Sequence, residues 1–310
     1  MIGGRGGVDG TPAPPSACED AGPRLRHVSL YSLDDPGDLV GPSLVAAFDG
    51  WVDAGSAATS ALEHLALTGD VIVRFDLDAL LDYRARRPTL EIVDGRLAEL
   101  TWPDLSITRT RAAERDILLL TGAEPDYKWR AFSDELVELS KRLGVTEWIS
   151  LGAIPAAVPH TRDVPILGTE AWPGLLRGPV RAGPSGILRV PSAAVSVLEM
   201  TMAKAGIPAL GYFAQVPHYV SGPYPAAAVA LLGALGIHLG VELSAESLVT
   251  EAEQLRIRLD AAAAVEETTR QYVERLEGLA DEERLPSGDD LISEIEKFLR
   301  DRGSEGTSRS

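Results

Sequence analysis

Hydrophobic residues recur along the chain in short continuous runs that alternate with runs of helical spacing. The run "SLVAAF" (43–48) predicts a strand, and the small-residue run "SAATSALEHLAL" (56–67) predicts a helix that lies close to a sheet. "DVIVRF" (70–75) predicts the next strand, and "RDILLLTG" (115–122) is apolar enough for a central strand covered on both faces. This alternation favours a layered α/β fold.

The alternation continues through the second half of the chain after one interruption. "LEIVDGRLAEL" (90–100) predicts a hairpin, because Asp94-Gly95 supplies the positive φ angles of a type I′ turn. "YKWRAFSDELVELSKRLG" (127–144) is an amphipathic helix that Gly144 ends. The remaining predicted elements are the strand "VTEWISLGAI", a helix from about Ser192 to Ala205, the strand "IPALGYFAQV" and the proline-started helix "PAAAVALLGALGIHLG". We therefore predict a mostly parallel central sheet flanked by helices.

Composition divides the chain into four segments. Residues 1–23 are rich in Gly and Pro and predict a disordered tail, because they cannot offset their ordering entropy by burial. The α/β domain covers 24–243, and a helical C-terminal extension covers 244–302. Its first helix runs for more than 30 residues from Ser244, its second begins after Pro286-Ser287-Gly288, and we expect their charged faces to lie in solvent. Residues 303–310 predict a second disordered tail.

The charge of the chain limits its partners. The sequence has 46 acidic and 29 basic residues and a net charge of -17, which disfavours nucleic acid and anionic membranes. A single cysteine, Cys18, leaves no intramolecular disulfide and no cysteine-built zinc site. No run has the apolar length of a signal peptide or a membrane helix, so we predict a cytoplasmic protein.

The stretch "FDGWVDAG" (48–55), at a strand-to-helix turn, contains the first candidate site. Asp49 and Asp53 offer an acid/base pair or ligands for a divalent ion, although no third ligand follows at a diagnostic spacing. The favoured alternative is that Asp53 caps the helix while Gly50 and Gly55 permit a sharp turn. No lysine or arginine lies nearby in the sequence, which argues against phosphate. Trp51 completes the candidate set.

Two loops that each contain a proline followed by a histidine supply the other candidates. His160 and Arg162 follow a strand end in "GAIPAAVPHTR", and His218 and Tyr219 follow another in "QVPHYVSGPYP". Loops at strand ends commonly bind ligands in α/β proteins, so these two loops are predicted to converge on a polar pocket or on a protein contact. Five histidines without an i, i+4 pair make a zinc centre improbable, and we predict no metal and no cofactor.

Four blocks of sequence together resemble the PAC2 family, specifically its actinobacterial members. The blocks are "FDGWVDAGSAAT", "GAIPAAVPHTR", "GPSGIL" and "VPHYVSGPYPAAAVALL", and the resemblance covers about residues 25–245. It implies a fold similar to the phosphorylase/hydrolase-like fold of purine nucleoside phosphorylases. It also implies kinship with proteasome assembly chaperones, which bind proteasome α subunits, and with bacterial members that form trimers. Chaperones that dock by their tails end in a hydrophobic residue, tyrosine and one more residue, whereas this chain ends Ser308-Arg309-Ser310.

Two hypotheses about function follow. The leading one is a non-enzymatic assembly or interaction protein that forms homo-oligomers, with a trimer implied by the resemblance and proteasome α subunits as possible partners. Trp51, Trp129, Trp148 and the alanine-rich helix faces exceed what one core is expected to hold, which also favours self-association. The alternative is a small-molecule hydrolase or phosphorylase-like enzyme. It requires Asp49, Asp53, His160, Arg162, His218 and Tyr219 to surround one deep pocket.

Overall fold

A computed structural model describes residues 29–183 and 186–284 of the chain. The predicted tails 1–23 and 303–310 and the predicted helix that begins at Asp289 lie outside the described residues. None of the helices in the described ranges combines the length and the hydrophobicity needed to cross a bilayer.

The described residues form eleven strands and seven helices. The strands are β1 (Tyr31–Leu33), β2 (Ser43–Asp49), β3 (Asp70–Phe75), β4 (Thr89–Val93), β5 (Arg96–Thr101), β6 (Leu105–Ala112), β7 (Arg115–Ala123), β8 (Glu147–Ala156), β9 (Ile166–Glu170), β10 (Arg181–Ala182) and β11 (Ala209–Pro217). The helices are α1 (Ala57–Ala66), α2 (Leu77–Leu80), α3 (Trp129–Arg142), α4 (Ala194–Lys204), α5 (Pro225–Leu239), α6 (Glu246–Val265) and α7 (Glu267–Arg284).

Nine of these strands form one sheet in the order β1-β3-β6-β7-β2-β8-β11-β9-β10. The four central strands, β7, β2, β8 and β11, are parallel. Outside them β6 pairs antiparallel to β7 and β9 antiparallel to β11, while the edge strand β10 runs parallel to β9. The predicted α/β class with a parallel central sheet is confirmed. The antiparallel strand β6 was not foreseen, because its arginines mask the apolar alternation of "LSITRTRA".

Side chains of the central strand β2 point alternately into two cores, one on each face of the sheet. Leu44, Ala46 and Phe48 pack in the cluster that includes α3 and α4. Val45 and Ala47 pack in the cluster that includes α1 and α5. The small side chains of α1 are fully buried there, as expected for a helix close to a sheet.

The predicted hairpin is present as β4 and β5, which form a separate two-stranded sheet. Asp94 and Gly95 have φ angles of 50° and 75°, as a type I′ turn requires. Every residue of both strands is exposed, including Ile92 and Leu97. The hairpin therefore leaves apolar side chains in contact with solvent.

The prediction of a single helix from Ser244 is wrong, because the helix is interrupted at Glu266. This residue has φ -115° and ψ 114°, outside the helical region, and separates α6 from α7. Its carboxylate accepts hydrogen bonds from the hydroxyls of Thr268 and Thr269, at 2.9 and 2.8 Å, in the first turn of α7. Leu248 of α6 is buried in the same core as α5. The domain boundary at 243/244 stays a prediction.

Two of the three tryptophans that suggested self-association lie within this chain's own core. Trp148 is fully buried and donates its Nε1–H to Ser150 Oγ at 2.8 Å. Trp129 is partly buried against the core and donates to the carbonyl of Pro125. Of these three tryptophans, only Trp51 is exposed, at 71%.

A buried polar network joins four strands and α5 at the amino-terminal edge of the parallel strands. The carboxylate of Glu147 accepts hydrogen bonds from Ser43 Oγ at 2.7 Å and Arg115 Nη2 at 2.8 Å. Its other oxygen lies 3.2 Å from His238 Nε2, and His238 Nδ1 lies 2.8 Å from the hydroxyl of Tyr212. The network links β2, β7, β8 and β11 to the helix that covers them.

The network keeps Glu147 ionised. Burial alone would raise the pKa of Glu147, but the hydrogen bonds from His238 and Ser43 and the charges of His238 and Arg115 lower it to about 2. Because the pKa is lower in the folded chain than its ordinary 4.5, this group stabilises the fold above pH 4.5. That stabilisation is lost as the pH falls from 4.5 toward 2.

We expect Glu147→Gln to lower the free energy of unfolding at pH 7 by about 1.5–3 kcal/mol, because hydrogen bonds to a buried charge are lost. Urea unfolding between pH 7 and pH 3 measures this effect, and the difference between wild type and variant should shrink as the pH falls. Glu138→Gln is the control, because Glu138 has a 75% exposed side chain in a surface ion pair with Lys141. Equal effects of the two substitutions would contradict the conclusion that the ionised Glu147 carboxylate stabilises the fold.

Candidate functional site

The candidate residues follow the carboxyl ends of neighbouring parallel strands. Asp49 ends β2 beside Ala123 of β7, and Ala156 of β8 pairs with Pro217 of β11. The turn after β2 and the loops after β8 and β11 therefore leave the same edge of the sheet. This is the edge where open α/β sheets place their binding sites.

The turn at residues 49–55, here called the Trp51 turn, is held by Glu124, which follows β7. The Glu124 carboxylate accepts the backbone N–H of Trp51 at 3.2 Å and that of Ala194, at the start of α4, at 2.6 Å. A Cβ at Gly50 would collide with the Glu124 side chain, so glycine is required by close approach. The sequence did not identify Glu124 as a candidate. The signal that could have identified it is its position directly after a parallel strand next to β2.

Asp53 caps α1, as the sequence suggested. One carboxylate oxygen accepts the backbone N–H of Ala58 at 2.7 Å, and the other accepts the hydroxyl of Thr59. Helix α1 begins at Ala57, so Asp53 reaches its amides across a 3₁₀ turn at Ala54–Ser56. Burial raises the pKa of Asp53, while these hydrogen bonds oppose the rise. The side chain is used to start the helix.

Asp49 has a cationic partner that the local sequence did not reveal. Arg86, which lies after α2, donates to the carbonyl of Asp49 at 2.7 Å and to its carboxylate at 3.3 Å. The expectation of no nearby lysine or arginine is therefore corrected, because residues 37 apart in the chain meet at this turn. The Asp49 side chain is 75% exposed, so this is a surface ion pair.

The two proline–histidine loops converge, as predicted. The hydroxyl of Tyr219 accepts the backbone N–H of His160 at 2.8 Å and lies 2.7 Å from His160 Nδ1. Because the Asp260 carboxylate at 3.2 Å can only accept, Nε2 carries the proton and donates to it, and the Tyr219 hydroxyl donates to Nδ1. Burial raises the pKa of Tyr219, which keeps this hydroxyl protonated. His160 is thus fixed between the sheet edge and α6.

His218 continues the same arrangement toward α7. Its Nδ1 lies 3.0 Å from the carbonyl of Ala156, which can only accept, so Nδ1 carries the proton. Its Nε2 then accepts from the hydroxyl of Tyr272 at 3.1 Å. The rings of His218 and Tyr272 meet edge to face, with centroids 5.8 Å apart. We refer to His160, His218, Tyr219 and Tyr272 as the His-Tyr cluster.

Arg162 attaches α7 to the loop after β8. Its Nε and Nη2 bind the two oxygens of Asp281 at 3.1 and 3.0 Å, and its Nη1 binds Glu277 at 3.2 Å. The hydroxyl of Thr161 also donates to Glu277. The expectation that the charged faces of the extension lie in solvent is corrected here, because Asp260, Glu277 and Asp281 bind the loop. Glu277 and Asp281 are four residues apart on one face of α7, a spacing that indicates a cation-binding face without identifying the cation.

The predicted residues form two groups. Asp49 and Trp51 lie at the turn, whereas His160, Arg162, His218 and Tyr219 lie beneath α6 and α7. The turn is joined to the loop after β11 through the backbone, where Tyr224 donates its N–H to the carbonyl of Gly55 at 2.8 Å. Gly55 has a φ of 66°, and a Cβ there would collide with Tyr224. In the part of the chain that the structure describes, no group of three or more His, Cys, Asp or Glu could hold a metal ion.

Solved structures share this fold and most of its length. A protein of unknown function from Corynebacterium glutamicum is 31% identical, with a TM-score of 0.77 over 82% of this chain and 97% of that chain. A proteasome-assembly chaperone homologue from Mycobacterium tuberculosis is 37% identical, with a TM-score of 0.67 over 74% of this chain and 99% of that chain. None of the curated proteins matches the chain. The fold thus defines a class of α/β proteins with relatives in several bacteria.

The family follows from the sequence match. The model of the PAC2 family covers residues 47–263. A PAC2 family protein from Streptomyces avermitilis is also similar, at 33% identity and a TM-score of 0.65 over 75% of this chain and 99% of that chain. The chain belongs to the PAC2 family, which confirms the resemblance seen in its four sequence blocks.

We expect Asp53→Ala to lower the free energy of unfolding by about 1 kcal/mol, because two amides of α1 and the Thr59 hydroxyl lose their acceptor. Asp53→Asn should cost less, because an amide oxygen still accepts from Ala58 and no charge is buried. Thermal and urea unfolding compare the two variants. Asp49→Ala is the control and should change stability by less than about 0.5 kcal/mol. A larger loss for Asp49→Ala than for Asp53→Ala would contradict the cap.

We expect Arg162→Gln to speed amide hydrogen exchange in α7 several-fold, because both carboxylates of α7 lose their guanidinium partner. Exchange in β8 and β11 should not change. Arg256→Gln is the matched control on α6, since Arg256 is exposed and its ion pair with Asp260 is long, at 3.9 Å. Unchanged exchange in α7 would show that the helix is held by other contacts.

Proposed function

We propose that this protein is a non-enzymatic assembly or interaction protein of the cytoplasm that binds proteasome α subunits and associates with copies of itself. The observation that carries the proposal is membership of the PAC2 family, together with 37% identity to a Mycobacterium tuberculosis protein described as a proteasome-assembly chaperone homologue. A fold alone does not assign activity, so the proposal also depends on how the polar residues of the sheet edge are used.

The polar residues of the sheet edge have structural partners. Asp53 binds the amides of α1, His160 lies between Tyr219 and Asp260, and Arg162 binds two carboxylates of α7. The enzyme alternative required these side chains and Asp49 to surround one pocket, and they lie in two groups. The arrangement favours a scaffold that presents surfaces over one that performs chemistry.

Trp51 is the side chain at this edge that best fits a protein contact. It is 71% exposed, although Glu124 fixes the backbone of its turn on both sides. A rigidly presented tryptophan loses little conformational entropy on binding, and tryptophan is enriched among residues that dominate binding energy. Glu124 also binds the first turn of α4, and the segment before α4 exposes Ile187, Leu188 and Val190. We infer that the partner contacts Trp51 and this apolar segment.

Self-association is supported by the exposed hairpin of β4 and β5. Leu90, Ile92, Leu97 and Leu100 are each 45% or more exposed. A two-stranded hairpin is marginally stable by itself in water, and exposed apolar surface of this kind marks contact sites. We propose that another copy covers the hairpin, with a trimer as the expected assembly. A concentration-independent monomer in light scattering would contradict this part of the proposal.

We expect the purified protein to capture proteasome α subunits from the same organism, and Trp51→Ala to weaken that capture by about 2 kcal/mol, the loss typical of a central tryptophan. Quantitative pull-down with native mass measurement tests both points. Trp102→Ala is the matched control, because Trp102 is also exposed, at 52%, and lies next to the hairpin. Absence of capture by wild type at micromolar concentration would contradict the proteasome assignment, and equal loss for both variants would contradict the Trp51 contact.

A further inference from the structure

A cavity of about 480 Å³ lies between α5, α6 and the loop after β8. Cavities of this size hold small organic ligands, which pack against apolar walls and are oriented by a few polar groups. One face of α6 is turned toward the cavity, since its lining residues include positions i, i+3, i+7 and i+10 counted from Val249. The apolar walls include Val164, Ala226, Val229, Val249, Ala252 and Leu259.

Tyr224, which precedes α5, brings a buried hydroxyl to this cavity. The residue is 3% exposed, and its backbone is fixed by the hydrogen bond from its N–H to the carbonyl of Gly55. Within residues 29–183 and 186–284, the hydroxyl forms no hydrogen bond. Buried tyrosine hydroxyls usually have a hydrogen-bond partner. The hydroxyl is therefore available to a ligand in the cavity that the side chain lines.

The Tyr224 hydroxyl is a hydrogen-bond donor beside a cation. Burial raises the pKa of Tyr224 to about 12, so the hydroxyl keeps its proton at neutral pH. The charge of Arg256 opposes this rise in the pKa. Arg256 also lines the cavity, and its ion pair with Asp260 is long, at 3.9 Å. Most of the guanidinium donors are therefore available to a ligand as well.

The other polar side chains at the cavity are already engaged or lie in water. His160 is fixed through both ring nitrogens, and Arg162 binds two carboxylates of α7. Asp163 is engaged as well. Glu253 is exposed at the rim, so water solvates its charge. The tyrosine hydroxyl and the guanidinium are thus the two donors that remain for a ligand.

We propose that this cavity binds a small molecule with an apolar body and a single carboxylate. A carboxylate can only accept hydrogen bonds, and its strongest ones come from a cationic donor such as Arg256. The apolar body packs against the walls from α5 and α6. Glu253 at the rim and the net charge of -17 disfavour ligands with more than one negative charge.

Binding of 4-phenylbutyrate to the full-length chain, measured by isothermal titration calorimetry, tests the proposal. We expect saturable binding with a Kd of about 1 mM or lower, as for other ligands of so few atoms. The matched compounds 4-phenylbutylamine and 4-phenylbutanamide have the same apolar body without the carboxylate, and they should bind at least about tenfold more weakly. Trp51→Ala lies outside the cavity and should bind the acid as wild type does, so the site is tested independently of the proteasome assignment.

Substitutions in and beside the cavity locate the ligand. Tyr224→Phe removes only the hydroxyl, so it should weaken binding about tenfold and leave the free energy of unfolding unchanged. Arg256→Gln should weaken binding by a similar factor. Arg258→Gln is the matched control, because Arg258 is exposed on α6 and does not line the cavity. Ala252→Phe fills the cavity and should abolish binding.

Four results would overturn the proposal. The first is no saturable binding of 4-phenylbutyrate at several millimolar. Equal affinity for the acid, the amine and the amide would show that no cation contacts the head group. Unchanged affinity in Tyr224→Phe, or in Ala252→Phe that circular dichroism shows to be folded, would place the ligand elsewhere. A lower free energy of unfolding for Tyr224→Phe would mean that the hydroxyl is already bound within the chain.

Discussion

The carboxylate of Glu147 must stay ionised inside the sheet, and the alignment of the central strands depends on meeting that requirement. Its donors come from the starts of β2 and β7 and from α5, so the amino ends of the parallel strands are held level. The strands β2, β7, β8 and β11 have 7, 9, 10 and 9 residues, so their carboxyl ends lie near one another at the opposite edge. The turn after β2 and the loops after β8 and β11 are consequently neighbours at this edge, although the turn lies more than 100 residues before either loop in the chain.

The two edges of the sheet therefore have different roles. The amino edge contains a buried network whose removal costs stability. The carboxyl edge contains the residues that looked most like an active site, and most of their hydrogen-bonding capacity is used to start α1 and to attach α6 and α7. The turn after β2 leaves the side chains of Asp49 and Trp51 exposed at this edge.

The C-terminal helices α6 and α7 contact the carboxyl edge of the sheet. Asp260, Tyr272, Glu277 and Asp281 come from α6 and α7 and contact the two loops that the sequence singled out. The loops are therefore covered by α6 and α7. A sheet without this C-terminal extension would leave them open. Family membership describes the sheet, whereas the extension decides which of its surfaces stay accessible.

Local patterns in the sequence were sufficient for the parallel strands, the hairpin turn at Asp94-Gly95 and the cap at Asp53, because each depends on neighbours within a few residues. Hydrophobic periodicity identified β3 and α3 almost to the residue, but it missed β6, whose Arg109 binds the carbonyls of Pro36 and Asp38, more than 70 residues away. It also missed Arg86, Glu124 and the acidic residues of α7. Their partners lie between 37 and 119 residues away, and such pairs become neighbours only when the sheet and its helices are assembled. The sequence by itself determined most of the elements and the family, and the tertiary structure decided which polar residues support the fold and which side chains stay exposed.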